Sequence, residues 1–110
     1  MSIVLQLRPD GPITEISLPD SDIARLAALH RTIACTVLDV LPLNVRTDVY
    51  FDADAHDSGQ PINPIATALL RRNGYPWQQC RGLVVLCAHT PEGAPIDLPL
   101  AQSGQLLAPQ

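Results

Sequence analysis

The feature that most constrains this chain is the run Gly82-Leu83-Val84-Val85-Leu86-Cys87-Ala88, which carries no charge and is aliphatic at most positions. A stretch of this length and composition reads as a strand in the middle of a sheet. The chain must therefore supply strands to flank it, and upstream segments offer them. Ser2 to Arg8 alternates Ile3, Leu5 and Leu7 against Ser2, Gln6 and Arg8, with Val4 breaking the pattern. Pro9, Asp10, Gly11 and Pro12 then bring the fixed φ and the glycine that a reversal needs, and Ile13 to Leu18 reads as a second strand, completing an N-terminal β-hairpin. From Val45 to Ala53 the odd positions Val45, Thr47, Val49, Phe51 and Ala53 alternate against Arg46, Asp48, Tyr50 and Asp52, the pattern of a half-exposed strand. Thr36 to Leu43 is a β-rich run that Pro42 assigns to a sheet edge or a strand end, because proline cannot donate to a ladder.

Two helices complete the prediction. Pro19, Asp20, Ser21 and Asp22 form a start signal, since an Asp or Ser oxygen accepts from the free amides of a first turn. Ile23, Leu26, Ala27, Leu29, His30 and Ile33 then recur at three-and-four spacing, predicting an amphipathic helix from Asp22 to Ala34. After the polar loop Ala55 to Asn63, Asn63 as N-cap and Pro64 at the first helical position predict a shorter helix over 64–72, stopped near Gly74. Downstream, Pro91, Gly93, Pro95 and Pro99 leave room for a short final strand or loop at Ile96 to Leu98, and residues 101–110 read as a flexible tail. The expectation is one α+β domain over residues 1–100, with a mixed or antiparallel sheet of about five strands, the order ββαββαβ, and two helices on the sheet.

Composition narrows the function classes. The 110 residues are 46% hydrophobic and 16% charged with a net charge of −4, which excludes a disordered chain. A chain of this length buries roughly 65% of its unfolded surface and needs no staples to fold. Every basic residue is arginine, the codon bias of a GC-rich genome, and this points to an actinobacterium or its phage as host. These arginines are scattered apart from Arg71 and Arg72, so no positive stripe exists for a nucleic-acid backbone and nucleic acid is not an expected partner. No long apolar run or basic leader is present, so a cytoplasmic protein without membrane contact is expected. Cys35, Cys80 and Cys87 are odd in number and lack Cys-x-x-Cys spacing, which predicts buried reduced thiols. Cys80, beside Gln78, Gln79 and Arg81, is the thiol whose pKa a guanidinium would lower if it were exposed.

The densest set of chemistry-bearing residues is Asp52, Asp54, His56 and Asp57, where a continuing strand would align Asp52, Asp54 and His56 as oxygen and nitrogen ligands for a divalent cation. A calcium loop starting at Asp54 fails at its twelfth position, which is Ile65 rather than Glu, and turn-forming aspartates at a strand-to-loop transition are the preferred account of the segment. His30, His56 and His89 share no metal-binding spacing. Cys87 and His89 face the same way from a strand, but about 7 Å separates alternate side chains, too far for a nucleophile and its base without a bend. Gly-x-Ser-x-Gly, phosphate-loop and dinucleotide motifs are lacking, so neither catalytic residues nor a cofactor is expected.

The stretch Asn63-Pro64-Ile65-Ala66-Thr67-Ala68-Leu69, preceded by an acidic glycine-containing loop and followed by Gly82-Leu83-Val84-Val85-Leu86, resembles the small phage and actinobacterial proteins grouped as domain of unknown function thirty-eight forty-six. The resemblance spans about Ile3 to Leu86 and rests chiefly on Asn63, Pro64, Ala66, Thr67 and Gly82. It implies a small α+β domain often encoded on mobile elements, and no activity comes with it. The chain departs from the family pattern at Asn73-Gly74-Tyr75-Pro76-Trp77 and in its proline-rich end.

The functional expectation is a non-enzymatic binding or regulatory module acting by protein contact. Asp54, His56, Asn63, Thr67, Arg71, Tyr75 and Trp77 are its surface candidates, with the rings of Tyr50, Tyr75 and Trp77 as anchors. The alternatives are a homodimer joined through an exposed strand edge and a small metal-dependent hydrolase using the Asp52 to Asp57 loop.

Overall fold

A computed structural model describes residues 1–107 of the chain. In order, the elements are β1 (Ser2–Leu7), β2 (Thr14–Leu18), α1 (Asp22–Ile33), β3 (Leu38–Pro42), β4 (Thr47–Asp52), α2 (Pro64–Arg72), β5 (Val84–His89) and β6 (Pro95–Ile96). A 3-10 turn at Leu100–Gln102 and a short helix α3 (Gly104–Leu107) follow. The sheet runs β2-β1-β5-β4-β3 with every pair antiparallel, so the apolar run of β5 does occupy the centre. β1 pairs with β5 from Leu7↔Val84 to Leu5↔Leu86, and β6 takes over at Ala88 and His89. Ile3 accepts from the Leu98 amide and donates to Asp97 Oδ1, so the β6 segment is wedged between the ends of β1 and β5.

The two helices lie on opposite faces of the sheet. Leu5, Leu7, Val49, Phe51, Val84 and Leu86 pack with Ala66, Leu69 and Leu70 of α2. Val4, Leu18, Val85 and Cys87 pack with Ala28, Leu29 and Ile33 of α1. Coverage on both faces explains why β1 and β5 are apolar at nearly every position: Val4, which breaks the alternation of β1, belongs to the α1 layer while its neighbours Leu5 and Leu7 belong to the α2 layer.

Helix α1 is rotated relative to the stripe its sequence suggests. Arg25, Ala28, Leu29 and Ile33 are buried, whereas Ile23 and Leu26 are exposed. Its cap also differs from expectation, since Ser21 makes no side-chain cap bond and Asp20 is instead drawn to the amino terminus at 2.9 Å. The helix ends at Ala34, which adopts the left-handed conformation with φ 59°. For α2 the predicted cap is present, Asn63 Oδ1 accepting from the Ala66 amide with Pro64 in the first turn.

Residues 101–107 of the expected flexible tail are placed on the α2 side of the sheet. Ser103 is buried and Leu107 packs against the α2-side core, and Glu15 Oε2 accepts from the Leu100 amide, so this segment completes the α2 layer. Residues 108–110 of that tail lie outside the described residues.

Strand β3 forms one edge of the sheet. Leu43 donates to Thr47, so by alternation Asp39 and Leu41 also face β4, and Leu38, Val40 and Pro42 turn their backbone outward. Pro42 has no N–H, and the Val40 amide is taken by Asp39 Oδ1 at 2.8 Å. As a row of donors the edge therefore offers an incoming strand little beyond Leu38.

Candidate functional site

The structure separates the seven residues singled out from sequence. Asn63 is fully buried, and all of its side-chain bonds are internal: Oδ1 accepts from Ala66, and Nδ2 donates to the carbonyls of Leu7 at 3.0 Å and Gly82 at 2.9 Å. Thr67 is buried as well, its hydroxyl donating to the Cys80 carbonyl and accepting from the Cys80 amide. These two residues weld α2 to the sheet and present nothing to a partner.

Asp54 and His56 are exposed, but β4 ends at Asp52 and the chain then turns, so the alternation that would have aligned them stops. Asp52 Oδ1 accepts from the Asp54 amide, and its Oδ2 accepts from Gln60 Nε2, both at 2.8 Å. The carboxylate organises the turn with both oxygens. Among the described residues no group of three or more His, Cys, Asp or Glu is placed to hold a metal ion.

Arg71, Tyr75 and Trp77, by contrast, belong to one connection at the end of α2. The Tyr75 amide donates to Leu70, the Gln78 amide donates to Tyr75, and Arg71 Nε donates to the Gln78 carbonyl at 3.1 Å. The Tyr75 hydroxyl reaches across to donate to Pro42 O at 2.7 Å. Between these ties sits Trp77, 91% exposed.

A second constellation was only partly read from the sequence, as the Cys87–His89 pair. On the α1 face, Asp22 and Arg25 of α1, Asp48 and Tyr50 of β4, and Cys87 and His89 of β5 line a cleft of about 220 Å3. The register explains the gathering: Asp48 stands opposite Cys87 in adjacent strands, so Asp48 and Tyr50 share a face with Cys87 and His89. Asp48 Oδ2 lies 3.3 Å from His89 Nε2, and His89 Nδ1 lies 2.8 Å from the Thr90 carbonyl. Arg25, 9% exposed, donates from Nη1 to Ser2 Oγ at 2.9 Å and to the Pro19 carbonyl at 3.1 Å. It forms no ion pair with a carboxylate among the described residues.

Burial sets the thiol chemistry. Cys87 is pushed up to about 11 by burial, against a partial offset from the neighbouring Arg25 guanidinium, so the thiol stays neutral at ordinary pH. With both His89 nitrogens facing oxygens other than a Cys87 proton donor, the pair has neither the thiolate nor the geometry of a nucleophile and base. Cys80 is likewise pushed up to about 11 by burial, so Arg81 does not activate it. Burial also raises the Tyr50 phenol.

Arg25 was not singled out because it lies outside the apolar spacing of α1, and Asp48 and Tyr50 stand on the side of β4 that alternation assigns to solvent. The usable signal was the pair of two-residue spacings, Asp48 with Tyr50 and Cys87 with His89, on two strands that prove to be neighbours. Comparison with known proteins adds no relative: no family model, no curated protein and no solved structure matches this chain.

Proposed function

We propose that this chain is a non-enzymatic binding module that recognises a protein partner through the Tyr75-Pro76-Trp77 loop. The observation that carries the reading is the 91% exposure of Trp77 on a backbone held at both ends. An aromatic side chain buries about 150–250 Å2 when covered, roughly 4–6 kcal/mol at about 25 cal/mol per Å2 before the costs of association. Because the hydrogen bonds of Tyr75, Gln78 and Arg71 already order the loop, less of that gain is spent on ordering it in a complex. Arg71 and Tyr75 beside it are of the residue types that dominate interface energetics.

The free state of all three cysteines fits a reducing cytoplasm. The Asn63 to Leu69 stretch resembles proteins often encoded on mobile elements, and a regulatory role on such an element is part of this proposal.

Trp77 is the sole tryptophan, so its fluorescence reports on this loop alone. Native mass spectrometry of the protein purified from an actinobacterial host, alongside Trp77→Ala, tests the reading. Expected is an added mass, or the mass of a homodimer, that disappears in the variant, together with a blue shift of the wild-type emission on binding. A bound mass that survives Trp77→Ala refutes it.

A further inference from the structure

We infer that the partner of the Tyr75-Pro76-Trp77 loop is an acidic peptide segment in which a carboxylate neighbours an apolar side chain, which holds only if that loop is the binding surface. Trp77 and Pro76 are exposed and supply the apolar floor, while two guanidinium groups are tied to the residues that follow them. Arg71 Nε donates to the Gln78 carbonyl, and Arg81 donates from Nη1 to the Gln60 carbonyl and from Nη2 to Gln79 Oε1. The Arg71 bond uses only the inner nitrogen. Among the described residues its Nη1 and Nη2 have no partner, and neither Arg71 nor Arg81 is ion-paired. The exposed end of Arg71 is thus a two-pronged donor that matches a carboxylate in two parallel bonds.

Charge complementarity selects the sign of the partner. The chain as a whole carries −4, yet between Asp57 and Glu92 it has no acidic residue and holds three of the seven arginines, Arg71, Arg72 and Arg81. Carboxylates on the segments that meet the loop are bonded locally: Tyr75 reaches β3, where Asp39 Oδ1 accepts from the Val40 amide, and both Asp52 oxygens accept, from the Asp54 amide and Gln60 Nε2. The end of α2 adds little repulsion, because Leu69 O accepts from Asn73 Nδ2 and Leu70 O accepts from the Asn73 and Tyr75 amides. A local surplus of positive charge around an exposed indole steers an acidic segment to the loop and turns a basic one away. With Arg81 held by Gln60 and Gln79, the loop offers too few unengaged cations for a nucleic-acid backbone.

Selection on the immobilised wild-type protein from a phage library of random peptides about twelve residues long tests the assignment. Expected are binders enriched in Asp and Glu next to Leu, Ile or Phe. Tryptophan-free synthetic copies should shift the Trp77 emission to the blue and bind less tightly as salt rises from about 0.05 M to about 0.5 M. By calorimetry they should lose at least tenfold in affinity with Trp77→Ala, about threefold to tenfold with Arg71→Gln, and more with Arg71→Glu. Copies with every Asp and Glu replaced by the amide should bind wild type at least threefold more weakly, a comparison that stays valid if the Arg71 variants loosen the loop. Binders that need Trp77 but show no acidic excess, or whose amide copies bind equally well, overturn the acidic assignment and leave the Trp77 surface standing. Binders indifferent to Trp77→Ala, or none at all, overturn both. Oligothymidylate that quenches Trp77 at lower concentration than the selected peptides, or a dimer of the unliganded protein that Trp77→Ala dissociates, gives the loop to nucleic acid or to a second copy and overturns the proposal.

Discussion

Replacing Asn63 with alanine should be among the most damaging single changes in this fold. The side chain is fully buried and serves three backbone groups on three segments: the Ala66 amide of α2, the Leu7 carbonyl at the end of β1 and the Gly82 carbonyl before β5. Loss of the cap costs about 1 kcal/mol. Leaving buried carbonyls without a donor adds about 1–3 kcal/mol for each that finds no other partner. With both carbonyls left unpaired a total of about 3–7 kcal/mol follows, a large part of the roughly 5–15 kcal/mol available to a domain. Urea unfolding followed by circular dichroism gives the number directly, with an unchanged slope expected if the native state keeps its shape. Asn63→Asp separates the contributions, because aspartate retains the cap acceptor but turns a carboxylate toward two carbonyls. It should destabilise at least as much as alanine. A cost below about 1 kcal/mol for Asn63→Ala, or a neutral Asn63→Asp, would show that the bridge from α2 to β1 and β5 is not what holds these elements together.

Other outcomes follow from the same geometry. Gly82 has φ +75°, and a Cβ there would collide with the Gln60 side chain that donates to Asp52, so Gly82→Ala should cost roughly 2–4 kcal/mol in the same unfolding assay. Folding stability should fall as pH rises above about 9: Cys80 and Cys87 titrate near 11 when folded and at 9.0 ordinarily, so the unfolded chain loses its protons first. The loss is on the order of 2–3 kcal/mol for each thiol by pH 11, with Tyr50 adding in the same direction, and a profile that stays flat in wild type or is unchanged in Cys87→Ala contradicts the assignment. Asp39→Ala combined with Pro42→Val frees the Val40 amide and adds another donor at the β3 edge, so light scattering should reveal concentration-dependent association lacking in the parent protein. A double variant with the parent's mass at every concentration would mean that something else closes this edge.

The elements were largely legible where a single physical rule governs the residues involved. Alternation from Val45 to Ala53 contains β4, and the Asn63-Pro64 pair announces the start of α2 because capping is local. The apolar run before His89 reads as a central strand because its surface has to be covered. Sequence did not reveal that the helices cover opposite faces, since that depends on which way each connection crosses the sheet. The same gap hid the role of Arg25: an arginine among Leu26 and Ile23 reads as solvated, and only the placement of α1 against Ser2 and Cys87 turns it inward. Asn63 and Thr67 were recognised as notable, yet the bonds that occupy them reach Leu7 and Cys80, distances along the chain that no local pattern reports.

The position of β1 in the sheet has a consequence for how the chain acquires its structure during synthesis. Its first strand lies between β2 and β5, and Leu5 meets its partner Leu86 only after roughly 80 further residues have been made. At about 5–20 residues per second, roughly 4–16 s pass before that partner leaves the ribosome. For most of this interval the hairpin carries Leu5 and Leu7 with neither β5 beside them nor α2 above them. Closure of the sheet is thus a late, long-range event in the life of the nascent chain.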